Sequence, residues 1–277
     1  YLDKVQQLLD QSGQIFKAER LGDDTLEVRY LHEKTEHLLW LDVKAYEKQK
    51  RLGIRLPLLG DTPEKIRLLR ANPALAHGRF ACVPQKNAGT QQVCLLNILD
   101  LETLNTESLL IALQGLCQMG SHLSTHDLPS KARAYRSTRE PDWEKTLLDS
   151  AIQQLTLVSQ PERSENKAKI RLQLTQGRQQ TVHIRFDRQD KEGNQLVSLL
   201  SYCGADNPEL YDLVLEENSH YSYGALGLAT LGETQMFVVS NNQLADHAEP
   251  AALQAAILQV AQKADQIEAL LTNADVH

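Results

Sequence analysis

Most of the segment from Asp206 to Leu271 repeats a pattern already present between Asp61 and Leu123. Both copies open on a turn residue and a proline, Thr62-Pro63-Glu64 and Asn207-Pro208-Glu209, followed by a short amphipathic run broken at Asn72-Pro73 and near Asn218. A glycine-led strand pattern comes next (Gly78 to Val83; Gly224 to Ala229), then a turn and a strongly apolar stretch, Val93-Cys94-Leu95-Leu96 or Met236-Phe237-Val238-Val239. A long helical pattern closes each copy. There Leu109, Leu113, Leu116, Cys117 and Gly120 stand opposite Leu253, Ile257, Val260, Ala261 and Ala264 at a constant offset of 144 residues. A whole supersecondary sequence written twice predicts a duplicated domain.

The stretches before each copy also match. Leu2, Val5, Leu8 and Leu9 recur at helical spacing up to Ser12-Gly13, and Trp143, Leu147, Leu148, Ala151, Ile152 and Leu155 do so in the second half. The period then drops to two. Leu26, Val28 and Tyr30 alternate with Glu27 and Arg29, and Ile170, Leu172 and Leu174, set opposite them, alternate with Lys169, Arg171 and Gln173. Such alternation predicts strands with one dry and one wet face. Leu39, Leu41 and Val43 form the next strand, matched by Val182, Ile184 and Phe186; a third lies near Leu52 to Leu59, matched by Leu196 to Tyr202. Pro57 places an edge or a strand end there, since proline cannot donate to a ladder. Each half therefore reads helix, three strands, helix, two strands, helix. Short turns between the strands favour an antiparallel sheet with helices packed on it, an α+β architecture. The second long helix starts either with Asp246 and Glu249 as a capping box or at Pro250. The halves are expected as domains at 1–125 and 141–277, each with its own core, joined by a basic connector at 126–140.

At 277 residues two domains are the natural division, and 42% hydrophobic with 23% charged residues is ordinary globular composition. A net charge of -7 argues against general affinity for nucleic acid or anionic membrane. No apolar run approaches the roughly 18 residues of a membrane helix. Cys82, Cys94, Cys117 and Cys203 all lie in apolar patterns without a C-x-x-C pair, which suits buried free thiols and a cytoplasmic location. The chain begins at Tyr1 rather than methionine, so a preceding segment is left open.

The connector carries Lys131, Arg133, Arg136 and Arg139 against Asp127 and Glu140. One reading is a solvated linker whose arginines meet acidic surfaces. The other is a docking site for an acidic peptide or a nucleic acid, with Tyr135 stacking among Arg133, Arg136 and Arg139. No linear catalytic motif is present. His122 and His126 with Cys117 have some of the spacing of a zinc site, but no HExxH glutamate accompanies them, and polar residues at a helix end explain them. Gly224, Gly227 and Gly232 lack the lysine and the directly following helix of a phosphate loop. Glu216 and Glu217 fit a solvated helix face. No catalytic residue, metal ligand or cofactor is assigned, although an enzyme built from distant residues remains a third alternative.

The element order, with an apolar strand, a polar break and a leucine-rich helix closing each half (Phe237-Val238-Val239-Ser240-Asn241, then Pro250 to Leu271), resembles the type III secretion chaperone-like fold, and within it the YbjN-like proteins. The resemblance covers both halves and excludes the connector. It implies a non-enzymatic module that holds an extended segment of a client protein, and it implies pairing of subunits. The expectation is therefore a monomeric tandem adaptor or chaperone for another protein, its halves packed as an intramolecular pseudo-dimer. The alternative is a small-molecule-sensing regulator with a pocket between the halves.

Overall fold

Leu2, Val5 and Leu9 are buried along one side of the first helix, α1 (Leu2–Gln11), as their spacing requires. In the chain that follows, β1 (Phe16–Arg20), β2 (Thr25–His32), β3 (Thr35–Tyr46) and β4 (Gln49–Pro57) lead to α2 (Lys65–Ala71). A 3₁₀ turn, Asn72–Ala74, extends α2 before β5 (Arg79–Pro84), β6 (Gln91–Asp100) and α3 (Thr106–Leu123). The second half contains β7 (Arg133–Ala134), α4 (Trp143–Ile152), β8 (Glu162–Ser164), β9 (Lys167–Gln173), β10 (Gln179–Gln189) and β11 (Gln195–Ala205). After them come α5 (Tyr211–Glu217), β12 (Ala225–Leu231), β13 (Thr234–Leu244) and α6 (Pro250–Ala274). This computed structural model describes residues 1–14, 16–32, 34–46, 49–58, 64–84, 91–123, 133–134, 142–190, 193–221 and 223–274.

Every strand pairing is antiparallel, in two sheets ordered β1-β2-β3-β4-β6-β5 and β12-β13-β11-β10-β9-β8, with β7 added beside β10. The α+β class is as the sequence predicts. The short strands β1, β7 and β8 are additions. β8 has no buried residue, so the alternation test passes over it. Pro57 ends β4, where its missing N–H costs least. At the second long helix the structure selects Pro250 as first residue, behind a 3₁₀ turn Ala245–His247.

Ladder register corrects two of the matches. Leu26, Leu41, Ile54 and Asn97 form one cross-strand row of the first sheet, and Ala168, Ile184, Leu199 and Asn241 form its counterpart. Ala168, not Ile170, thus stands in the place of Leu26. The cause is the turn: His32 pairs with Thr35, whereas Gln173 pairs with Gln179 across a longer loop. Asn97 and Asn241 likewise set β6 and β13 at the offset of 144 found for the helices, which moves Val93 from Met236 to Phe237.

The chain divides into two compact units that are not its contiguous halves. The first contains Tyr1–Lys65, His77–Leu128 and Asp212–Ser222; the second contains Ile66–Ala76, Pro129–Tyr211 and Tyr223–His277. In the first unit α1 and α3 cover one face of the sheet, with Leu109, Leu113, Leu116 and Cys117 buried. On the other face Ala81, Val83, Cys94, Leu96 and Ile98 form a buried apolar cluster on β5 and β6. The segment after α5 is tied there by buried Arg79, whose Nε donates to Asn218 O at 2.6 Å and whose Nη2 donates to Tyr221 O.

In the second unit α4 and α6 cover one face, burying Leu253, Ile257, Val260, Ala261 and Ala264. The 3₁₀ turn after α2 lies on β12 and β13. Asn72 Nδ2 donates to Leu226 O at 2.7 Å, and Asn242 Nδ2 donates to Pro73 O and Leu75 O at 3.1 and 2.7 Å. Gly227 permits the approach: a Cβ there would sit 2.5 Å from Leu69 O. The short helices α2 and α5 have similar apolar sides, so the sequence does not say which sheet each one covers.

Candidate anion-binding site

The face of the second unit's sheet turned away from α4 and α6 carries the wet residues of the alternating strands. Two of its cross-strand rows run Lys169, His183, Leu200, Ser240 and Lys167, Arg185, Ser198, Asn242. Above this face lies a cavity of about 930 Å³, wholly within the second unit, with residues of β8 to β13 as floor and Arg70, Pro73 and Ala74 on one side. Among the described residues six cationic side chains line it (Arg70, Arg163, Lys167, Lys169, Arg185, Arg188) against the single carboxylate of Glu162.

Neighbouring groups shape the electrostatics. Lys169 Nζ donates to both oxygens of Glu162 at 3.2 Å. Arg185 makes a two-pronged bond to Asp187, Nε to Oδ1 at 2.8 Å and Nη2 to Oδ2 at 2.6 Å. Burial works to raise the Asp187 carboxyl, but the Arg185 bond and the charges of Arg185 and Arg188 outweigh it and hold the group below the usual range. Arg188 is lowered by burial and by its like-charged neighbour Arg185. Burial, then Lys169, lowers the His183 imidazole, which stands edge-on to the Tyr202 ring at 5.4 Å and 81°. Burial raises the Tyr202 phenol, against the pull of Arg185. A concave, positively charged and partly desolvated surface of this kind concentrates anions.

The equivalent rows of the first unit have the opposite character. They read Glu27, Trp40, Arg55, Leu96 and Thr25, Asp42, Gly53, Ile98. Glu27 replaces Lys169, and Asp42 replaces Arg185. Arg55 stacks over Trp40 at 5.3 Å and ion-pairs with Asp42 at 2.6 Å, while Thr25 Oγ1 donates to Asp42 at 3.0 Å. The first copy of the site is thus neutralised by its own side chains.

Of the connector residues proposed for docking, Arg133 belongs to β7, which pairs with the end of β10 (Ala134 with Arg188, Arg133 with Gln189), where β9 has already stopped. Tyr135, Arg136 and Arg139 lie outside the described residues, as does His126, and the side chain of His122 does too. Among the described residues no group of three His, Cys, Asp or Glu converges as metal ligands would. No helix among them is long and apolar enough to cross a membrane. The sequence reading missed the cavity residues because Lys167 and Lys169 look like an ordinary solvent face. The available signal was charge reversal between the copies: matching Leu41 with Ile184 already sets Asp42 against Arg185, and the corrected register sets Glu27 against Lys169.

All four cysteines are buried and free. Burial pushes the Cys94 and Cys117 thiols up to about 12 and raises Cys203 and Cys82 as well. Thiolate reacts and thiol does not, so at pH 8 roughly one molecule in ten thousand would be reactive at Cys94 or Cys117. Under iodoacetamide conditions that alkylate all four in denaturant, the native protein should show no adduct by mass spectrometry. Fast labelling of the native chain would contradict this placement.

No family model, curated protein or solved structure matches this chain.

Proposed function

We propose that this protein is a non-enzymatic binding protein whose second unit holds a small anionic molecule on the outer face of its sheet, as the sensing element of a regulator. One observation carries the reading. At equivalent ladder positions the copies differ in sign, Lys169 and Arg185 against Glu27 and Asp42, and the cationic copy lines a cavity. This differs from a sensor with its pocket between the halves in that every lining residue belongs to one unit. Isothermal titration with inorganic pyrophosphate at low salt tests it. Charge-assisted bonds contribute about 1.5–3 kcal/mol, so Lys169→Glu should weaken binding at least tenfold, with the melting temperature little changed. Glu27→Gln, at the matching place in the first unit, should leave it unaltered. No pyrophosphate binding by the intact protein would remove the proposal.

The adaptor or chaperone reading has its own support. Among the described residues strands β1 and β8 have a ladder neighbour on one side only, and such edges accept an extended peptide by strand addition. Proline at Lys17 or Arg163 should then abolish co-purification of a client; full retention by both variants would exclude these edges.

A further inference from the structure

Resting on the anion-binding reading, we infer that the site selects anions that carry an O–H: hydrogen phosphate, or a phosphate ester with a hydroxyl beside the phosphate, rather than sulfate. The basis is the order of side chains along one cross-strand row. Lys167 pairs with Arg185, Arg185 with Ser198, and Ser198 with Asn242, and all four line the cavity. The row passes from two cations to a hydroxyl to an amide without a gap. In the first copy the same four places hold Thr25, Asp42, Gly53 and Ile98. The hydroxyl and the amide are therefore found only in the copy that has the arginine.

The direction of hydrogen bonding along this row is set at the Asn242 end. Asn242 Nδ2 donates to Pro73 O and Leu75 O at 3.1 and 2.7 Å, so the atom left over is Oδ1, which can only accept. Oδ1 is buried and, among the described residues, receives no donor. Ser198 Oγ, directly opposite, is also buried and bonded to nothing among them. Opposed side chains on a ladder have Cβ atoms about 4.5–5.5 Å apart, so a turn about the serine Cα–Cβ bond brings the hydroxyl to the amide. A serine hydroxyl has one hydrogen to give. Once that hydrogen is on Asn242, Ser198 meets the ligand as an acceptor, next to Arg185, whose Nε and Nη2 are held by Asp187 and whose Nη1 is outside that bond. An anion that gives a hydrogen to Ser198 and oxygen to Arg185 satisfies the whole row. Sulfate has no hydrogen: either its oxygen faces the serine lone pairs, or Ser198 turns to it and leaves Asn242 Oδ1 unmatched, and an unmatched buried acceptor is costly.

The test is competition against bound pyrophosphate, read by calorimetry on the full chain at pH 8, where the four competitors are chiefly dianions. Phosphate is compared with sulfate, and glycerol 3-phosphate with methyl phosphate; the first of each pair has an O–H and the second has none. In at least one pair the hydroxyl-bearing anion should compete about tenfold or more strongly. Preference within the first pair alone places the O–H on phosphorus, and within the second alone places it on carbon. Ser198→Ala should reduce the preference to about twofold or less, with sulfate competing as before, and Ser198→Thr, which keeps the hydroxyl, should retain it. Equal competition within both pairs, or failure of all four to compete, overturns the selection of an O–H and leaves the anion site standing. A preference unchanged by Ser198→Ala overturns the role of this row. No binding of pyrophosphate overturns both readings.

Discussion

Cut in the connector, the chain should give fragments 1–128 and 129–277 that are not stable as lone monomers and that recover a native melting transition when mixed. Fragment 129–277 lacks Ile66–Ala76, in which Leu68, Leu69 and Leu75 are at most 4% exposed. At roughly 1.5–3 kcal/mol for each leucine, their loss removes on the order of 5–9 kcal/mol. That compares with a total stability of about 5–15 kcal/mol for a typical domain. Fragment 1–128 lacks Asp212–Ser222, with buried Val214, Leu215 and Tyr221. Because α2 and α5 are counterparts in the duplication, a lone fragment has one further route, exchanging its own α2 or α5 segment with a second copy of itself. Size-exclusion chromatography with light scattering and thermal melts should therefore find complexes: the mixed pair, or homodimers of either fragment. Two monomeric fragments that each melt cooperatively at the temperature of the intact chain would show that the contiguous halves are self-sufficient domains.

Arg79→Met should be the most damaging single substitution among the polar residues of the first unit. Arg79 is 3% exposed, and its guanidinium donates to two main-chain carbonyls, those of Asn218 and Tyr221. Methionine retains the aliphatic bulk and removes the donors. Both carbonyls lose that bond inside the protein, which costs about 1–3 kcal/mol for each group left unsatisfied. The expected loss is about 3 kcal/mol, read from the shift of the first unfolding transition in urea. Arg20→Met is the control: its pair with Asp3 is solvent-exposed, with side chains 49% and 90% accessible. Such pairs contribute about 0–1 kcal/mol. A loss at Arg79 no larger than at Arg20 would mean that the segment after α5 is held by other contacts.

Much of the fold is legible in the sequence because it depends on periods. The alternation of Leu39, Leu41 and Val43 is a strand with Leu39 and Leu41 fully buried. The seam Leu253, Ile257, Val260, Ala261 and Ala264 is one side of α6. Local spacing suffices there, since burial of one side is what selects those residues. The short strand β8 escaped notice because Glu162, Arg163 and Ser164 are all exposed and show no buried side. The candidate site escaped for a related reason. Lys167, Lys169 and Arg185 have the spacing of any solvated sheet face, and nothing local marks them as cavity walls.

The duplication, the α+β class and the buried state of the four cysteines were determined by the sequence alone, because they follow from which residues shun water and at what spacing. Tertiary structure decided register and completion. The length of the loop between Gln173 and Gln179 sets Lys169 at the place of Glu27, and no periodicity encodes loop geometry. Which sheet α2 and α5 cover was likewise open, since an apolar side buries equally well against either copy of one fold. Specific long-range bonds make that choice: Asn72 to the Leu226 carbonyl, and Arg79 to the carbonyls of Asn218 and Tyr221. Their partners lie more than 130 residues apart in the chain and meet only when the units form.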